Sequence, residues 1–338
     1  MVRELEDALR LKAPLMEKSQ SIDVELKTLR VIVYHHAALV KSSKDLRLAL
    51  DYANMACDTA KDLIREIGFA SRVAGSCGLR ARLKFVAGDV EDAMKEFSEL
   101  WEEVSAKGFV NTERKEITQT LANYLVSLFA ANNLGKLKEV YRKYRRFLTK
   151  IPVYWSLVAG LISINETYFE DFYEVRRKNI VQEAPPPYNI VLQCLEMNGK
   201  CTEICQLIED VDNRTLCYKL IETKENPMLK HLIISTDEGR NRDTLSKLLN
   251  DIENPREIIE AAVFIRNPLL SFVEVLKLIT EKRLDKAKLV AMHWRDISRS
   301  QGLSEIMKLW DELVKCLEKG ECGNDCKIAL LKLFYIHA

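Results

Sequence analysis

The stretch VAGDVEDAMKEF, residues 86–97, decides the fold, because its pattern recurs at one spacing on both sides. The matching stretches are SSKDLRLALDYA at residues 42–53 and ANNLGKLKEVY at residues 131–141. Each copy carries a polar turn residue, and these are 44 residues apart: Asp45, Asp89 and Asn133. A pattern that returns at one period is the sign of a repeat architecture, in which each copy forms one structural unit.

The chain around these stretches has the periodicity of helices. Apolar residues recur at i, i+3, i+4 and i+7 almost everywhere, and alternating runs are nearly absent. In residues 134–150, for example, Leu137, Val140, Tyr141 and Leu148 fall on one helical face. Gly and Pro are few and lie mostly between the periodic runs. We therefore predict an all-α protein.

The middle copy resembles a tetratricopeptide repeat. The similarity rests on the pattern G-D-V-x-x-A-x-x-x-F, formed by Gly88, Asp89, Val90, Ala93 and Phe97. It extends over roughly residues 25–150 and implies antiparallel helix pairs stacked into a superhelix. We therefore predict an α-solenoid, a tetratricopeptide-like superhelix whose N-terminal part has repeats of 44 residues.

The run EAPPPYN at residues 183–189 interrupts this rhythm. Three consecutive prolines exclude a helix there. The helices predicted beyond this run are shorter, and several begin at an Asn-Pro pair, as an N-cap followed by Pro would. We predict two domains: a tetratricopeptide-like domain at residues 1–183, and a second α-helical repeat domain with shorter helix pairs at residues 184–338.

Composition favours a soluble protein of the cytoplasm. The 338 residues are 47% hydrophobic and 30% charged, with neither a secretory signal nor an apolar run long enough for a membrane helix. The net charge of +1 gives no general attraction to nucleic acid or membrane. Abundant Glu and Lys, sparse Gln and nine cysteines are typical of thermophiles, so we expect a thermophilic, archaeal source.

The sequence shows no motif of catalysis. It contains no P-loop, no HExxH, no EF-hand loop and no Gly-x-Ser-x-Gly. The five histidines are scattered, and the adjacent His35 and His36 face different sides of a helix. We therefore expect no catalytic residue, no cofactor and no metal. The function predicted is that of a non-catalytic scaffold for protein–protein interaction.

The resemblance also implies a surface for a partner. In tetratricopeptide-like folds the first helix of each pair lines a concave groove, which here places six residues in it: Tyr34, Lys41, Arg82, Phe85, Val126 and Phe129. A mostly apolar groove suits an amphipathic helix or an extended peptide of another protein. The alternative is that the N-terminal helix fills the groove with its leucines: Leu5, Leu9, Leu11 and Leu15.

A second surface is basic. Residues 134–150 hold seven cations and one acid. The cations that define the predicted patch are Lys138, Arg142, Arg145 and Arg146. Such a helix favours RNA or DNA as an alternative partner. Residues 89–104 hold seven acids and one lysine, however, so the two helices could instead neutralise each other if the repeats stack.

Two stretches are rich in cysteine, CLEMNGKCTEIC at residues 194–205 and CLEKGECGNDC at residues 316–326. Each lies at a predicted turn between two helices, where a disulfide would join them. The candidate cysteines are Cys194, Cys201 and Cys205 in the first stretch, and Cys316, Cys322 and Cys326 in the second. Three interpretations stay open: disulfides across each turn, free buried thiols, or a zinc site in which Cys217 would join the first group.

Overall fold

The computed structural model describes residues 20–67, 71–106, 115–165, 170–197, 201–222, 226–236 and 241–337. Within these ranges the protein forms eighteen α-helices and no β-strand, which confirms the predicted all-α class. None of these helices is both long and apolar enough to cross a membrane.

The helices of the N-terminal half are α1 Gln20–Ser42, α2 Leu46–Ile67, α3 Ser71–Ala87, α4 Val90–Ala106, α5 Lys115–Ala130, α6 Leu134–Leu148, α7 Pro152–Asn165 and α8 Glu170–Glu183. Those that follow are α9 Tyr188–Met197, α10 Cys201–Cys205, α11 Val211–Glu222, α12 Asn226–Thr236, α13 Arg242–Leu249, α14 Pro255–Phe264, α15 Pro268–Thr280, α16 Leu284–Ser300, α17 Ser304–Leu317 and α18 Asn324–His337.

The repeated turn residues lie where the second helix of each pair begins. Asp45 precedes α2, Asp89 precedes α4 and Asn133 precedes α6. Oδ1 of Asn133 accepts a hydrogen bond from the backbone N–H of Lys136 at 3.3 Å, which satisfies one unpaired donor at the helix start. Gly88 has φ of 108°, a left-handed conformation that ends α3 and reverses the chain. The 44-residue spacing therefore marks helix starts.

Consecutive helices pack in pairs: α1 with α2, α3 with α4, and α5 with α6. The first helices of the pairs also contact one another, since α3 touches α1 and α5, and α5 touches α7. They form an inner layer. Helices from the other half of the chain cover this layer, because α18 packs on α3 and α5 while α15 packs on α7.

One hydrophobic core therefore runs through both halves of the chain. It passes without a break across the prolines at 185–187, which lie in a short turn between α8 and α9. Most of the helix α18 is buried, with the residues Leu330, Leu331, Leu333, Phe334 and Tyr335 each at most 1% exposed. This run of consecutive buried residues identifies α18 as a central helix of the core.

A buried ion triad joins three helices of the core. Arg176 in α8 donates from Nη1 to Oε2 of Glu260 in α14 at 2.9 Å, and from Nε to Oε2 of Glu274 in α15, also at 2.9 Å. All three side chains are buried. Burial by itself raises the pKa of Glu260, but the neighbouring guanidinium groups of Arg176 and Arg256 outweigh it and hold that pKa below its ordinary value. The triad fixes α8 against α14 and α15.

Replacing Arg176 with Met should lower the free energy of unfolding by up to about 3–5 kcal/mol, because two buried carboxylates lose the cation that they share and keep only Arg256 and Lys277, one each. Urea denaturation measures this loss. The matched control is Lys178→Met in the same helix, where the pair with Glu174 is exposed and its removal should change stability little. A loss in the Arg176 variant no larger than in the control would contradict the role of the triad.

Candidate functional site

Four of the six residues predicted to line a partner groove are buried. They belong to α3 and α5 and are at most 4% exposed: Arg82, Phe85, Val126 and Phe129. The structure therefore corrects the expected exposure of these side chains. The other two lie in α1, where Tyr34 is half-exposed and Lys41 is exposed. The N-terminal leucines proposed as a filling helix lie outside the described residues.

The helix α18 packs on α3 and α5, to which these four residues belong. The ring of Tyr335 meets that of Phe85 edge-on, with centroids 4.9 Å apart. Its hydroxyl donates a hydrogen bond to the backbone oxygen of Asn123 in α5 at 3.3 Å. Near the other end of α18, Nζ of Lys327 lies 5.4 Å from the ring centroid of Phe129. The inner face is thus occupied by a helix of this chain, at the positions where a partner helix was expected.

Beneath α18, Arg82 is a buried cation with unsatisfied donors. It is 3% exposed, and its Nε and Nη1 have no hydrogen-bond partner within the part of the chain that the structure describes. Burial lowers the pKa of Arg82, which lies near the phenols of Tyr154 and Tyr335. Burial, followed by the charge of Arg82, also lowers the pKa of His35 to about 4. Arg82 is therefore a buried polar group at the contact between α3 and α18, and it destabilises this contact.

Replacing Arg82 with Met should raise the free energy of unfolding by about 1–3 kcal/mol, because it removes buried donors that lack partners. Urea denaturation again provides the measurement. Arg80→Met is the matched control on the same helix. Nε of Arg80 donates to Oε1 of Glu96 at 2.7 Å, so its loss should destabilise the protein. A loss of stability in the Arg82 variant would show that the buried guanidinium makes a favourable interaction, contrary to this expectation.

The cations of α6 lie at the surface. Arg142, Arg145 and Arg146 are exposed, and Lys138 is half-exposed. Nη1 of Arg145 pairs with Oδ2 of Asp171 in α8 at 3.0 Å. Four exposed cations of α6 form what we call the α6 basic face: Arg142, Lys143, Arg145 and Arg146. The salt bridges that the structure describes include none to Arg142, Lys143 or Arg146.

The aromatic residues interleaved with these cations point towards the core. Tyr144 meets Trp101 of α4 edge-on, with centroids 5.2 Å apart, and both Tyr144 and Phe147 are partly buried. Lys143 and Arg146 lie over the rings of Tyr144 and Phe147, at 5.0 and 4.9 Å from the centroids. The rings of Tyr144 and Phe147 therefore contact the cations of α6 and do not form a surface on which bases could stack.

Two acids of α4, Glu96 and Glu99, pair with cations of α3 and of α4. Glu96 binds Arg80 and lies 3.5 Å from Nζ of Lys84, and both of these cations belong to α3. Glu99 pairs with Lys95 in its own helix at 3.9 Å. Glu96 and Glu99 are therefore paired with cations outside α6. Neutralisation of α6 by the other acids of α4 stays a prediction.

Disulfides join the helices around the first cysteine-rich stretch. Cys194 at the end of α9 is bonded to Cys201 at the start of α10, and their Cα atoms are 5.5 Å apart. Cys205 is bonded to Cys217 of α11, with Cα atoms 5.7 Å apart. Three helices are thus linked in series. In the second stretch Cys316, Cys322 and Cys326 are free thiols.

A third disulfide lies outside both stretches. It joins Cys57 of α2 to Cys77 of α3, which are 20 positions apart in the sequence. No motif signalled this disulfide, because each of its cysteines stands far from other cysteines in the sequence. Both side chains are fully buried. The searched residues contain no group of three or more side chains arranged to hold a metal ion.

Comparison with known proteins gives no indication of function. No family model matches the chain, no curated protein matches it, and no solved structure matches it.

Proposed function

We propose that this protein is a non-catalytic scaffold, a tetratricopeptide-like solenoid closed by its own α18, that binds RNA or DNA through the α6 basic face. The observation that supports this most is the contrast between two surfaces. The inner face, where a peptide was expected, is covered by α18. The α6 basic face is exposed and has a single described acid partner, Asp171.

The proposed contact is to the phosphate backbone. Arg142 and Arg146 are four positions apart, so they project from the same side of α6 one turn from each other. Guanidinium groups pair with phosphate oxygens through two parallel hydrogen bonds. Because Tyr144 and Phe147 point inward, the face offers no ring on which a base could stack. Binding should therefore depend strongly on salt and little on base sequence.

A gel mobility shift with single-stranded RNA tests this proposal. We expect the intact protein to shift the RNA at low salt and release it as salt rises. The triple variant Arg142→Gln, Lys143→Gln and Arg146→Gln should bind far more weakly. Each lost phosphate contact should also reduce the slope of log affinity against log salt by about 0.7, or about 2 in total.

The matched control removes three exposed cations from α17 and the turn that follows it: Lys308→Gln, Lys315→Gln and Lys319→Gln. It has the same net charge as the α6 variant and should bind as the intact protein does. Equal weakening of both variants, or no binding by the intact protein at low salt, would overturn the proposal.

A protein partner is the second candidate, and a different surface favours it. The helix α1 exposes two adjacent apolar side chains, Leu39 at 40% and Val40 at 67%, next to the exposed Lys41. An amphipathic partner helix could cover them. The result that would favour this candidate over nucleic acid is a protein captured from the native host by the intact chain and the α6 variant, but lost with Val40→Glu.

A further inference from the structure

The three free thiols form one cluster at the turn between α17 and α18. Cys316 lies near the end of α17, Cys322 in the turn and Cys326 in the first turn of α18. The thiol of Cys326 is within hydrogen-bonding reach of both other sulfur atoms. Cys316 and Cys326 are buried, at 6% and 0% exposure, whereas Cys322 is partly exposed. The cluster therefore has one accessible thiol with a buried thiol directly behind it.

The accessible thiol opens into a cavity. A depression of about 260 Å³ is lined by Cys322 together with polar and apolar side chains, including Phe129, Asn132, Asn324 and Lys327. Nζ of Lys327 donates to Oδ1 of Asn165 at 3.3 Å, which orients the ammonium group. The described lining contains this one cation and no acid. The cavity can therefore accept a small molecule with a carboxylate beside the sulfur of Cys322.

The hydrogen bonds within the cluster make the two thiols unequal. The S–H of Cys326 donates to the sulfur of Cys322, and this bond together with the charge of Lys327 outweighs burial and lowers the pKa of Cys322. The same hydrogen bond, followed by burial, raises the pKa of Cys326. Thiolate character concentrates on the exposed sulfur, and the thiolate is the nucleophile in thiol chemistry.

We propose that Cys322 is a reactive thiol that attacks a low-molecular-weight disulfide bearing a carboxylate, and that Cys326 resolves the resulting mixed disulfide. This site is separate from the α6 basic face and does not depend on nucleic-acid binding.

The chemistry is two successive thiol–disulfide exchanges. In the first, the thiolate of Cys322 attacks one sulfur of the small disulfide. A bond forms between these sulfurs, the original S–S bond breaks, and one small thiolate leaves. In the second, the sulfur of Cys326 attacks the sulfur of Cys322 as its thiol loses its proton. The second small thiolate leaves and takes up a proton, so two protein thiols are oxidised and one small disulfide is reduced to two thiols.

The second exchange is helped by the first. The largest influence that raises the pKa of Cys326 is its hydrogen bond to Cys322. Once Cys322 carries the mixed disulfide it is no longer a thiolate, and this influence is removed. Cys326 then loses its proton more readily, and its sulfur lies close to that of Cys322.

Intact-mass spectrometry after incubation with cystine tests the proposal. The intact chain should lose two free thiols and keep no adduct, and peptide mapping should find a bond between Cys322 and Cys326. Cys326→Ser should keep one cysteinyl adduct, on Cys322. Cys322→Ser should not react, whereas the matched control Cys316→Ser should react as the intact chain does. Circular dichroism checks that each variant is folded.

Two results would overturn the proposal: reaction of Cys322→Ser at the rate of the intact chain, or a mapped bond that does not include Cys322. The role of Lys327 is tested with Lys327→Met. Because Lys327 also lowers the pKa of Cys322, this variant should react more slowly with both disulfides, but the loss of rate should be up to about fivefold larger with cystine than with the uncharged 2-hydroxyethyl disulfide. Equal slowing with both disulfides would remove the carboxylate from the proposed specificity.

Discussion

The packing of α18 against α3 and α5 is the contact on which the other features depend. Tyr335 inserts its ring beside Phe85 and bonds the backbone of α5, so the last described helix closes the inner layer built by the first ones. This contact makes one core out of the two halves of the chain. It also places Arg82 in an apolar setting, and it leaves α6 on the outside as the exposed cationic surface.

The local parts of this arrangement were predictable from the sequence. Helical periodicity and the 44-residue spacing of Asp45, Asp89 and Asn133 depend only on neighbouring residues, and the structure starts helices directly after all three. The position of α18 depends on contacts between residues more than 200 positions apart, and no local pattern specifies them. One signal was available: KIALLKLFYI, residues 327–336, is apolar on nearly every face, as a helix enclosed by others must be.

The candidate sites likewise have some features that the sequence predicted and others that depend on long-range packing. The cations of α6 were found by composition, because a helix with seven cations and one acid is conspicuous. The pairing of Glu96 in α4 with Arg80 and Lys84 of α3 was not predictable, because it depends on how these two helices pack. The thiols at Cys316, Cys322 and Cys326 were located by their motif, while their different exposure follows from the way α18 enters the core.

Native-state hydrogen exchange of the intact chain, read by mass spectrometry, tests most directly whether α18 is a permanent part of the core. If it is, its backbone amides should exchange as slowly as those of α3 and α5, because all three are released only when the protein unfolds as a whole. Rapid exchange in residues 328–336 while α3 and α5 remain protected would contradict this, and would show that α18 leaves the inner face on its own.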